Sequence, residues 1–171
     1  MRRFTIAAAM IAIITGVLLK GTFLHWLMVL MSGIYLGAPL IVLLGVWLII
    51  GWKRDGQIPV RLKKVFSGSV VVAAALLLSL ATGTAIHRWE IQKTRDYVSL
   101  MAPKLDRYRH EHGKFPPTLS EIETTAPPRL LSRPHSYTTG LNTFRFEYWD
   151  ESGLMDGYYF DSETRRWSHF D

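Results

Sequence analysis

The chain has 171 residues, a formal net charge of +6 and no cysteine, which excludes a disulfide framework, a zinc–thiolate or iron–sulfur site and a thiol nucleophile. The charge is unevenly placed: residues 1–86 carry eight Lys/Arg against one acid, and residues 87–171 carry twelve against thirteen. The basic excess therefore flanks apolar segments and does not describe a nucleic-acid-binding surface.

Phe4 to Trp52 is a run of 49 residues interrupted only by Lys20 and His25 among charged or titratable side chains. One helix of that length would reach about 75 Å against about 30 Å of hydrocarbon, so the run is expected to cross a membrane twice. The first crossing is predicted from Phe4 to about Leu19, with Lys20 and Gly21 at the far interface. Residues 22–32 are expected to connect the spans within the interface, with Trp26 at head-group depth. The second crossing follows over about Gly33 to Trp52, with Pro39 as a kink. Phe66 to Ile86 gives a third uncharged span, of 21 residues. Residues 1–65 thus read as a two-span hairpin with a basic loop at 53–64, and 66–86 as a third transmembrane helix. Arg2, Arg3 and the basic loop place the N-terminus and that loop on the cytoplasmic side. Residue 87 onward then lies across the bilayer, in the periplasm if this is a bacterial inner membrane. Lys20-Gly21-Thr22 offers no small-x-small cleavage site, so the first span is expected to be retained. No Asp, Glu or Arg lies within the three spans, which leaves no residues for a proton relay or ion pathway. Gly33-x-x-x-Gly37 and the stripe Ala75, Ser79, Gly83 are expected to pack helices closely, within the chain or in a homo-oligomer.

Beyond the third span a helical rhythm continues from His87 to His112, with Ile91, Val98 and Leu105 on one stripe. Pro103 either kinks this helix or opens a second one, and Gly113 is its expected C-terminal cap. Thr118 and Glu121 have capping-box spacing, starting a short helix that inserts Leu119 and Ile122 into the domain. Residues 124–136 read as loop. Strands are predicted at Thr143–Asp150, Asp156–Asp161 and Arg166–Phe170, with a further edge strand within Leu131–Thr138 limited by Pro134. The predicted fold is an α+β membrane protein: three transmembrane helices, the third continuing into a helix packed on a small antiparallel meander at 87–171.

His110 and His112 are two apart, pointing about 200° away from each other on a helix, so they do not chelate one ion. No Gly-x-Ser-x-Gly elbow or phosphate-binding glycine loop is present, and acids pair only near turns. No enzyme, metal or cofactor is expected. Nine aromatics crowd into residues 144–170. Alternation sends Phe144, Phe146 and Tyr148 to one face and Arg145, Glu147 and Trp149 to the other. Trp149, Tyr159 and Trp167 are the expected protein-binding anchors.

Leu105-x-x-Tyr108-Arg109-x-x-x-Gly113-x-Phe115-Pro116-x-x-Leu119-x-x-Ile122, then Tyr158-Tyr159-Phe160-Asp161-Ser162-x-Thr164-x-x-Trp167, resembles the type IV pilin-like fold, nearest to the pseudopilins of type II secretion. The resemblance spans about Phe66 to Asp171. It implies a membrane-rooted helix on a meander. Pseudopilins of this kind bind calcium in C-terminal loops, but the acids at the hairpin ends here, Asp150, Glu151, Asp156, Asp161 and Glu163, lack the spacing of a calcium loop, so solvated turns are expected instead. The chain departs from pilins in having Ala73 as the fifth residue after Gly68, where they carry glutamate, and in its two preceding spans. Peptidase cleavage and entry into a filament are therefore not expected. The resemblance implies an accessory part of a secretion or pilus-type envelope assembly that binds a protein partner. The alternative is an immunity protein neutralising a toxin in the periplasm or membrane.

Overall fold

The computed structural model describes residues 2–53, 60–153 and 156–171. Residues 54–59, half of the basic loop expected at 53–64, and Leu154 and Met155 in the connection between two strands, lie outside the described residues; residues 60–64, expected in that loop, are helical instead. The protein is α+β, with a long apolar helix and a four-stranded antiparallel sheet. It divides into two compact units, residues 1–86 and 87–171.

In the first unit, α1 (Arg2–Leu19) ends where Lys20 and Gly21 take positive φ values of 48° and 68°. The expected interfacial connection is instead a helix, α2 (Phe23–Ser32), whose N-cap Thr22 accepts from the His25 N–H at 3.4 Å. Nothing in Phe23–Ser32 breaks a helix, and Gly33 remains right-handed, so the backbone passes through a π-helical turn (Gly33–Gly37) into α3 (Ala38–Lys53). Pro39 lies in the first turn of α3, directly after that π-helical turn. The helix α4 (Val60–His112) includes Lys64–His112, which among the described residues is the one stretch long and apolar enough to cross a membrane. The apolar helical segments Arg3–Leu19 and Phe23–Tyr35 are shorter.

Within this unit the close approach is made by Gly16, Gly21 and Gly83. A Cβ on Gly16 would lie 2.5 Å from the Ser79 carbonyl oxygen, and one on Gly83 would lie 2.6 Å from the Gly21 nitrogen. Only hydrogen fits there, as small-residue helix packing requires. Ser79 and Gly83 thus sit at the contact, Ala75 is half-buried, and Gly33 and Gly37 face open space. Buried His25 reaches the same contact, its Nε2 lying 3.0 Å from Ser79 Oγ.

In the second unit α4 carries Val98, Met101, Ala102 and Leu105 into a core completed by Phe115, Leu130, Leu131, Phe144, Phe146, Tyr148 and Phe160. Pro103 is interior to the unbroken helix. Burying one large apolar side chain is worth about 1.5–3 kcal/mol, so the flanking core residues outweigh the roughly 3 kcal/mol that an interior proline costs. Gly113 closes α4 with φ 75° and its N–H donating to the Arg109 carbonyl at 2.7 Å. The capping box is not formed: Thr118 Oγ1 pairs with Ser120 Oγ, while Glu121 accepts from the Tyr108 hydroxyl at 2.7 Å. A single 3₁₀ turn (Leu119–Glu121) results, and Leu119 and Ile122 still pack on the core. The edge strand is β1 (Tyr137–Thr139), shorter and later than expected because Pro134 and His135 (φ 66°) turn the chain just before it. The meander continues as β2 (Phe144–Trp149), β3 (Gly157–Asp161) and β4 (Arg166–Phe170), in the order β1-β2-β3-β4.

Candidate functional site

Strand register sorts the aromatics onto two faces. Tyr137, Phe146, Phe160 and Trp167 form one row toward the core, with Tyr148, Tyr158 and His169 as the next. Trp167 packs against Phe160 and Tyr148, at ring separations of 5.6 and 5.4 Å, and Arg95 of α4 lies over its ring. Of the three expected anchors, the structure therefore places Trp167 on the core side.

The outer face carries the rows Trp149–Gly157–Phe170, Glu147–Tyr159–Ser168 and Arg145–Asp161–Arg166. Gly157 lets a ring lie across the sheet, because a Cβ there would meet Phe170 ring atoms at 2.2 Å. Phe170 then bridges Trp149 (5.2 Å, edge-on) and Tyr159 (6.3 Å), while the Arg145 guanidinium stands 4.5 Å from the Tyr159 ring centre. Trp149 keeps 45% of its surface exposed. The outcome is a pre-ordered aromatic strip with a cation at one end, in which rotamer entropy has already been lost on folding. Such a surface is suited to bind protein. Phe170 and Gly157 were not singled out in the sequence; an aromatic opposite a strand glycine was their only signal.

The charged side chains near this hairpin hold the fold together. The Arg129 guanidinium grips Glu90 on α4 at 2.5–3.2 Å and Glu151 at 3.0–3.1 Å, and Arg133 adds a bond to Glu151 at 3.0 Å. These bonds hold the Arg129 pKa above its ordinary value. Largely buried His87 lies 2.8 Å from Asp150 Oδ1; a carboxylate only accepts, so Nε2 carries the hydrogen. Ser152 donates to the same oxygen from both its N–H and its hydroxyl. The His87 bond, with the two from Ser152, holds the Asp150 carboxyl down at about 2.

Serine, histidine and aspartate meet here, but not as a nucleophile and its base. Ser152 and His87 both turn to Asp150, and the second ring nitrogen of His87 is buried without a partner among the described residues. His25 and Ser79 do contact each other, yet among the described residues His25 Nδ1 has no orienting partner, and Ser79 is mid-helix, where neighbouring N–H groups are committed to the helix. His112 stacks on Tyr108 at 4.1 Å, with Nδ1 at 3.0 Å from the Tyr108 carbonyl oxygen. At the hairpin ends Asp161 accepts from the Glu163 N–H, and Asp156 lies 3.7 Å from His169. Among the described residues no group of three or more His, Asp or Glu side chains is placed to hold a metal ion. Comparison with family models, curated proteins and solved structures finds no match to this chain.

Proposed function

We propose that this is a non-enzymatic, membrane-anchored protein whose domain at 87–171 binds a protein partner through the outer face of its sheet. The observation that carries the reading is the Trp149–Phe170–Tyr159 strip with Arg145 at its end, ordered by contacts within the sheet, with Trp149 exposed and Tyr159 and Phe170 half-buried. The anchor is read as three membrane spans, residues 4–19, 33–52 and 66–86, oriented with both basic segments in the cytoplasm and the domain in the periplasm. The apolar α4 supports one span, and the apolar helices α1 to α3 support the others, although each is short alone. Exposed Trp89, with Lys93 5.3 Å from its ring centre, has the composition of a head-group boundary.

A long helix packed on a four-stranded antiparallel meander supports the pilin-like reading, and with it an accessory role in a secretion or pilus-type assembly. Immunity to a toxin makes the same use of the surface. The test compares two aromatics of one strand. Trp149→Ala leaves the melting temperature nearly unchanged and weakens partner binding by about 2 kcal/mol or more. Phe146→Ala, in the core, lowers stability by about 3–5 kcal/mol. Early melting of Trp149→Ala with a tolerant Phe146→Ala would reverse the face assignment.

A further inference from the structure

The sheet order leaves β4 as an edge strand. Ser162 N–H bonds the Phe144 carbonyl and Asp150 N–H bonds the Asp156 carbonyl, which fixes the ladder's parity. With β4 register Gly157↔Phe170, Tyr159↔Ser168 and Asp161↔Arg166, residues 166, 168 and 170 turn their main-chain groups toward β3. The N–H and C=O of Trp167 and His169 therefore point outward, and no described residue bonds to them. The opposite edge differs, since β1 is three residues long and is cut short by Pro134 and His135.

We propose that the free edge of β4 receives an extended strand of the protein partner, which joins the sheet by main-chain hydrogen bonds. This rests on the protein-binding reading above. Alternating donors and acceptors at strand spacing are matched by another strand, and an unfilled edge is a template for one. The edge is continuous with the aromatic strip, because Phe170 belongs to both. It also specifies side chains. On the outer face β4 presents exposed Arg166, then Ser168, then Phe170. Arg166 makes no ion pair among the described residues, and Asp161, opposite it, has one carboxylate oxygen occupied by the Glu163 N–H. The fitting strand places an acid beside Arg166 and an apolar residue beside Phe170, on alternate positions.

The test uses the full chain in detergent and a short synthetic peptide with glutamate, threonine and phenylalanine at alternate positions. Hydrogen–deuterium exchange of the free protein should find the Trp167 and His169 amides fast, and the peptide should slow them about tenfold or more. His169→Pro removes an outward N–H and no ladder bond, so it should weaken the peptide about tenfold, while His169→Ala binds as wild type. Arg166→Glu, which leaves the strand backbone intact, should lose this peptide and bind one with lysine in place of glutamate. The proposal is overturned if the peptide leaves both amides fast, if folded His169→Pro or Arg166→Glu binds it as wild type, or if protection grows with protein concentration alone, which would mean a second copy fills the edge. Loss of partner binding in Trp149→Ala together with any of these results would overturn the edge assignment and leave the binding face standing.

Discussion

Asp150 illustrates how one side chain connects distant parts of the domain. It accepts from His87, 63 positions earlier on α4, and from both donors of Ser152. Its carboxyl is held at about 2, below the ordinary 3.8, so the folded state favours the ionised form. A depressed acid contributes stability that is complete above its unfolded pKa and is lost as pH falls through the folded value. Here that window runs from about pH 4 down to about 2. After allowing for solvent screening, Asp150→Asn should therefore be about 1–2 kcal/mol less stable than wild type at pH 7, and the difference should shrink as pH approaches 2. Thermal melts of both proteins across this range measure it. An equal gap at both ends would mean that the charge on Asp150 does not stabilise the fold.

At the scale of elements, the outer strip depends on Gly157 as much as on its aromatics. A methyl group there meets the far end of the Phe170 ring, which must swing away from Trp149. Gly157→Ala is expected to cost about 1 kcal/mol of stability or less, yet to weaken partner binding as strongly as loss of an anchor. Calorimetry with co-purification checks both halves. The alternation of Phe144, Phe146 and Tyr148 was legible in the sequence because a period of two is local, and so was the cap at Gly113. Trp167 was misplaced because its face depends on the register of β4 against β3, which no local pattern reveals. The same holds for the Arg129 clamp between Glu90 and Glu151, and for Gly16 and Gly21 against Gly83. The capping-box spacing of Thr118 and Glu121 was real, but Tyr108 competed for the carboxylate. These partners are brought together by tertiary structure, whereas at Gly33 and Gly37 no described atom lies within 4 Å of where a Cβ would stand.

At the scale of the whole molecule, the chain joins an apolar half bearing a charge of +7 to a nearly neutral domain at −1. Basic residues at both ends of the first two apolar segments predict where a reporter will function. Alkaline phosphatase fused after Asp171 should be active, and the same reporter inserted near Gln57 should be inactive; activity near Gln57 would invert the orientation. On the proposed function the outer aromatic face, and not the core-facing one, meets the partner. The most direct measurement of this places a benzophenone amino acid at Tyr159 or, as its neighbour on the opposite face, at Tyr158, in the full-length protein in cells. Irradiation should yield a specific adduct from position 159 and none from 158. Adducts from position 158 alone, or equally from both, would show that the partner does not meet the outer face.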